Sequence, residues 1–215
     1  MTATPNQLAE TLTARILNGQ ISPGSKLLEA SLAADLGVSR NTLREAFRML
    51  ARDGLVEHIP HRGVFVRCLT PAEVVELFAY RRFIEVNALS YFGTDMNRTQ
   101  RALTEMAHAI AQAEAAANAE NWGEVGTCNN EFHAALVSVV GVPRLKENLR
   151  LAMAHSRLAF MSVGTNENVH APFLGRNKEI LQFLTDSRLD TAKESLLRYL
   201  QESEARILGE MTLGG

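Results

Sequence analysis

Cysteine is scarce in this chain: only Cys68 and Cys128 occur. Two cysteines cannot form a disulfide framework, and their spacing fits no metal site. Both are expected as free thiols, buried or half-buried, in a reducing cytoplasm. Long apolar runs are absent too. No stretch approaches the roughly 20 residues that span a bilayer. The N-terminal "MTATPNQLAETLTARI" lacks the apolar core of a signal peptide. Catalytic signatures are missing as well. There is no G-x-S-x-G, no P-loop, no Cys/His pair at useful spacing and no carboxylate dyad. These absences argue against a disulfide scaffold, a membrane protein and an enzyme.

What remains is an ordinary soluble composition with an uneven charge. Apolar residues make up 46% of the 215 positions, enough for a core, and charged residues 21%. The length suits one large domain or two small ones. The net charge is −2. Up to Cys68, eight Lys and Arg face six Asp and Glu, a net +2; the remainder carries 14 against 18, a net −4. The positive excess lies in the first third, where a basic partner surface would be sought.

That third reads as helix, turn, helix, helix, then hairpin. Leu8, Leu12, Ile16 and Leu17 have helical spacing, and Gly19 is a stop. In "SPGS", Pro23 presets φ and Gly24 supplies a positive φ. "EASLAADLG" predicts a short helix with Leu32, Ala33 and Leu36 inward and Gly37 at its end. Ser39 is a suitable N-cap for the next helix, which carries Leu43, Ala46, Phe47 and Leu50 on one face and stops at Gly54. "LVEHI" and "VFVRC" then alternate like strands around "PHRG". This predicts a two-stranded wing packed through Leu55, Ile59, Val64 and Val66.

The helix after Ser39 places arginine at every fourth position: Arg40, Arg44, Arg48 and Arg52. Positions four apart drift by about 40° per step, so the first three share a broad face opposite the core set. Arg52 has turned away and is expected to be structural or solvated. A helix fits the DNA major groove, and arginine can bond guanine O6 and N7 bidentately. The helix start at Ser39 and Arg40 suits a phosphate. Asn41 and Thr42 are short polar groups at the same end. At the wing tip, His61 and Arg62 precede Gly63, placed to reach a minor groove. Charge pattern alone leaves a plainer option, in which these arginines pair with Glu45 or Asp53.

Thr70, Pro71 and Glu73 form a capping box with proline at the first helical position, placing a boundary after Leu69. The expected domains are 1–69 and 70–215. Six helices are predicted in the second, near 71–92, 97–119, 122–140, 143–162, 169–185 and 191–211, with Asp190 capping the last. Gly93, "AENWG", "GVP", "GTNEN" and "DSRLD" separate them. Short connections imply antiparallel neighbours. The expected fold is mainly α: an N-terminal winged helix-turn-helix followed by an all-helical antiparallel bundle.

The stretch from Ile16 to Val66 resembles the DNA-binding domain of the GntR superfamily of bacterial transcription regulators. It carries I-x-x-G, P-G-x-x-L, L-A-x-x-L-G-V-S-R, L-R-E-A and R-G-x-x-V in order. Thr42 stands where most members have proline, as in the FadR-type version. The resemblance implies operator contacts by Arg40, Arg44, Arg48, His61, Arg62 and Gly63, with Lys26 near a phosphate. The rest resembles the FCD-type effector domain of the FadR subfamily, in its six-helix VanR-like form. "LFAYRRFIE" matches the R-x-x-x-E helix at Arg81 and Glu85; "NNEFHAAL", "NKEIL" and "AKESLLRYL" match its later elements.

Many such relatives hold a divalent metal through one Asp and three His. Those positions correspond here to Asn129, His133, Asn177 and Tyr199. One imidazole, two amides and a phenol suit Zn²⁺ poorly, so no metal cofactor is expected. His108, His155 and His170 stand elsewhere as conceivable substitutes. The same four residues could instead line a polar pocket, with Arg81 and Arg157 offering a cation to a small effector such as a carboxylate. More simply, Arg81 and Glu85 pair at i, i+4, and His133 is a satisfied core residue. The expectation is a homodimeric, effector-controlled repressor on a palindromic operator, with Leu77 and Ile84 as candidate dimer residues. An alternative is a small-molecule-binding or protein-interaction module whose winged helix does not read DNA.

Overall fold

The capping signals near residues 4, 39 and 70 each start a helix in the computed structural model, which describes the backbone of residues 3–164 and 167–213. The side chains of 167–170 and 213 lie outside the described set, and with them His170. Two compact units result, Met1–Leu69 and Thr70–Gly215.

In the first unit, Thr4 and Gln7 form a capping box for α1 (Pro5–Leu17), which buries Leu8, Leu12 and Ile16. Gly19 and Gly24 both take positive φ after it, as the turn chemistry demands. α2 (Glu29–Asp35) follows, then α3 (Arg40–Arg52). Ser39 Oγ accepts the Thr42 N–H at 3.1 Å to cap α3. Leu43, Ala46, Phe47 and Leu50 are its buried face, as their spacing predicts.

The wing differs from the two-stranded expectation. Lys26–Leu27 forms a short strand β1, and with β2 (Val56–Ile59) and β3 (Gly63–Val66) it makes a three-stranded antiparallel sheet in the order β1-β3-β2. Two residues are too few to leave a periodic signal, so β1 was not visible in the pattern. Leu55, Val56 and Val66 are buried, while Ile59 and Val64 are only half-buried. Cys68 is exposed and only Cys128 is buried.

The second unit contains α4 (Pro71–Ala88), α5 (Met96–Asn118), α6 (Trp122–Ser138), α7 (Pro143–Val163), α8 (Glu167–Thr185) and α9 (Leu189–Leu213). Thr70 and Glu73 complete the predicted capping box of α4. That helix ends earlier than 92, because its last turn tightens into a 3-10 turn at Leu89–Tyr91. α9 begins before Asp190, which lies in its first turn instead of capping it. Gly164 ends α7 at φ 139°; of the "GTNEN" break, Thr165 and Asn166 fall outside the described residues. No described helix is long and apolar enough to cross a membrane.

Candidate functional site

Arg40, Arg44 and Arg48 are all exposed on α3. Arg44 and Arg48 line an open groove of about 700 Å³ between α3 and the wing, together with Lys26, Glu29, His58, His61 and Arg62. The wing turn places Pro60 second and His61 third, with His61 at φ 61°, the geometry of a type II turn. Arg62 N–H closes it on Ile59 O at 3.0 Å. The two wing cations flank one ring: Lys26 Nζ lies 5.8 Å and Arg62 Cζ 5.5 Å from the Phe65 centroid. Gly63, at φ 107°, leaves room for the Lys26 stem, whose Cε would be 3.3 Å from an added Cβ.

Arg44, Arg48 and Arg52 are paired, though not all as expected. Arg48 bonds Glu45 within α3, and Arg52 lies 3.3 Å from Asp53. Arg44 reaches across to Glu29, the first residue of α2. Ser39 and Thr42 hydroxyls lie 2.8 Å apart, so both side chains serve the helix start. These contacts are on the surface, where ion pairs contribute little to stability. They therefore do not lock the guanidinium groups away from a further partner.

The other expected site residues gather inside the helical unit, in two hydrogen-bonded groups. In the first, Arg81 Nε donates to Glu85 Oε1 at 2.7 Å, and His133 Nδ1 lies 2.6 Å from Glu85 Oε2. All three side chains are almost fully buried. Burial pushes the Glu85 carboxyl up, but Arg81 and His133 outweigh it and bring it down to about 2. Glu85 is therefore a carboxylate, and His133 must donate Nδ1–H to it. Burial lowers the His133 pKa despite the neighbouring carboxylate, so the ring is neutral and Nε2 carries a lone pair.

In the second group, Asn129 Oδ1 accepts from Asn177 Nδ2 at 2.8 Å and from the Tyr199 hydroxyl at 2.9 Å. Burial raises the Tyr199 pKa to about 12, which keeps the phenol protonated. The His133 and Tyr199 ring centroids are 4.9 Å apart, and that contact joins the groups. Arg81 and Glu85 do pair at i, i+4, as their spacing allows, but His133 is not the fully satisfied core residue of the plainer reading, because only its Nδ1 is bonded. Among the described residues, Arg81 Nη2, His133 Nε2 and Asn177 Oδ1 are buried without a hydrogen-bond partner.

Arg157 is carried by α7. Its Nη2 donates to Gly123 O at 3.0 Å, and its guanidinium lies against Gly126. Burial lowers its pKa to about 10, so it stays charged at neutral pH. Arg157, Asn129 and Asn177 line one small cavity with Phe160, Phe173 and Leu174. Its free space is about 20 Å³, room for a single water.

These donors are a poor match for a metal. Asn129 Oδ1 already accepts two hydrogen bonds, Tyr199 holds its proton, and His133 is the one strong ligand type left. His108 is exposed on α5, and His155 is half-buried. No group of three His, Cys, Asp or Glu among the described residues could hold a metal ion.

Several contributors left no sequence signal: Glu29 and His58 at the groove, Phe65 beside the wing cations, and Ser156, whose Oγ lies 3.4 Å from Arg81 Nη1. Gly126 did carry one, since a glycine inside a helix is a recognisable signal of close packing.

The two units match two family models. Residues 4–66 match bacterial regulatory proteins of the gntR family, and residues 76–202 match the FCD domain. The chain belongs to the GntR family of regulators with an FCD domain. A solved GntR transcriptional regulator from Rhodococcus sp. RHA1 is 36% identical; the match covers 95% of this chain and 97% of that one, with a TM-score of 0.89. The HTH-type transcriptional regulator YdhC of Bacillus subtilis (strain 168) is 26% identical over 90% of this chain and 86% of its own length. The HTH-type transcriptional repressor RspR of Escherichia coli (strain K12) is 24% identical over 91% of this chain and 85% of its own. This GntR-family chain is accordingly a transcriptional regulator with a DNA-binding head and an effector domain, and not an enzyme.

Proposed function

We propose that this regulator is a homodimeric repressor that binds a palindromic operator and is controlled by a small organic acid in its helical unit. The observation that carries the DNA part is the groove in which Arg44, Arg48, His61 and Arg62 converge from helix and wing. Arg40, Asn41 and Thr42 lie at the leading end of the same helix. Two copies related by a two-fold axis would read two half-sites. Repression is favoured by relatives that are named repressors, RspR among them. Leu77 and Ile84 are half-buried on α4, and Val75, Tyr80 and Phe83 are its exposed large hydrophobic side chains. Phe83, at 69% exposure, is the better candidate for a dimer contact.

The effector part rests on the buried cluster. A neutral His133 and an Arg81–Glu85 pair carry no net charge, while Arg157 supplies a cation on the cavity wall. A carboxylate beside Arg157, with its polar groups on Asn129 and Asn177, fits this lining. The cavity is too small for such a ligand as it stands, so binding must open the bundle around Phe160, Phe173 and Leu174. A ligand that binds only the opened form shifts the balance between two conformations, which is the requirement for control. No metal enters this reading, because the ligand set at Asn129, His133, Asn177 and Tyr199 does not fit one.

Native mass spectrometry of the purified chain tests the assembly and cofactor parts together. A dimer without metal mass is expected. A metal adduct at one per chain, or a monomer, would overturn the corresponding part. Titrating small carboxylates into a complex with labelled duplex tests control; at least one is expected to change the affinity.

A further inference from the structure

Arginine presents two hydrogen-bonding edges. The side edge comprises Nε–H and one Nη N–H; the end edge comprises one N–H from each terminal nitrogen. In Arg44 the side edge is occupied: Nε donates to Glu29 Oε1, and Nη2 lies 3.4 Å from Glu29 Oε2. Glu29 is the first residue of α2, where the helix dipole favours its carboxylate. Its side chain is 32% exposed, against 58% for Arg44, so the anion is the inner partner and the cation the outer one. Both line the groove between α3 and the wing.

A carboxylate inside a surface that must receive phosphates opposes general DNA affinity. Its position against one edge of one arginine gives it a different use. Among the described residues Arg48 is held differently, by Glu45 on its own helix.

We propose that Glu29 is a positioning residue for sequence reading: it holds Arg44 by its side edge and leaves the end edge to bond guanine O6 and N7. The guanidinium then reaches the base already oriented, so less freedom is lost on binding. The nearby anion also disfavours a phosphate as an alternative partner for Arg44. Glu29 thereby trades affinity for discrimination. This rests on the reading of DNA by α3 proposed above.

The test uses the full chain and the duplex it enriches from a randomised library, alongside a scrambled duplex. Each guanine of the enriched duplex is replaced in turn by 7-deazaguanine, which lacks the N7 acceptor. The wild type is expected to lose about tenfold at one guanine per half-site. Glu29→Ala is expected to shrink that penalty to less than about threefold, while binding the scrambled duplex as well or better. Glu29→Gln keeps one acceptor oxygen and is expected to fall between. Glu29→Ala adds no further loss of discrimination to Arg44→Ala. The proposal is overturned if Glu29→Ala keeps the full penalty, or if it weakens both duplexes alike with a lowered melting temperature, which marks a purely structural pair. If the wild type shows no penalty at any guanine and Arg44→Ala keeps its preference, the reading by Arg44 itself fails, separately from Glu29.

Discussion

His133 Nδ1 lies 2.6 Å from Glu85 Oε2, and neither side chain touches solvent. The contact ties α6 to α4 through a neutral ring and an ionised carboxylate, with Arg81 closing the group from one turn earlier. Breaking such a buried pair from one side leaves a charge without its partner, which is strongly destabilising.

The pair makes stability depend on pH in two windows. Above about pH 6.5 His133 is neutral folded and unfolded, and it contributes no pH dependence. Below that value the unfolded chain binds a proton that the native ring, with its lowered pKa, refuses, so stability falls. Glu85 adds a second loss. Its contribution is full above its ordinary 4.5 and disappears as pH falls through about 2. Thermal unfolding is expected to show a falling Tm from about pH 7 to about pH 5. His133→Gln should flatten that interval; an unchanged slope would place the pH dependence elsewhere.

Gly126 should not tolerate a side chain. An added Cβ would meet Arg157 Nη1 at 2.3 Å and Cζ at 2.7 Å. Arg157 is buried and cannot swing clear. Gly126→Ala should therefore cost about 1–3 kcal/mol in urea unfolding. In an Arg157→Met background the cost should be much smaller. Equal costs in both backgrounds would show that the clash is relieved by other means.

Tyr199→Phe removes one of two donors to Asn129 Oδ1, while Asn177 keeps the other. A loss of about 1 kcal/mol is expected. Affinity for operator DNA should stay unchanged, and the response to the effector should change. An unaltered response would count against this cluster as the effector site.

Arg44→Ala should lower affinity for the enriched duplex more than for a scrambled one. Equal losses on both would make Arg44 a phosphate contact, since phosphate contacts carry no sequence information.

The sequence carried local signals well. Thr70, Pro71 and Glu73 announced α4, Ser39 announced α3, and four-residue arginine spacing announced an exposed face. Gathering Asn129, His133, Asn177 and Tyr199 was also legible, through resemblance. Contacts between distant residues were not. Glu29 and Arg44 are 15 positions apart on different helices, and no periodicity links them. Nor did spacing show that His133 turns to Glu85 while Tyr199 turns to Asn129. The tightness of the cavity depends on the summed shapes of Phe160, Phe173 and Leu174, which no pattern encodes. A two-residue strand such as Lys26–Leu27 is too short to alternate.

The central claim is that two copies of this chain read DNA by sequence through α3 and the wing. Selection from a randomised duplex library, followed by native mass spectrometry of the enriched complex, tests it most directly. The expected product is an inverted repeat with a required guanine in each half, bound by two chains per duplex. Enrichment of no common sequence, or a single chain on an asymmetric site, would contradict it.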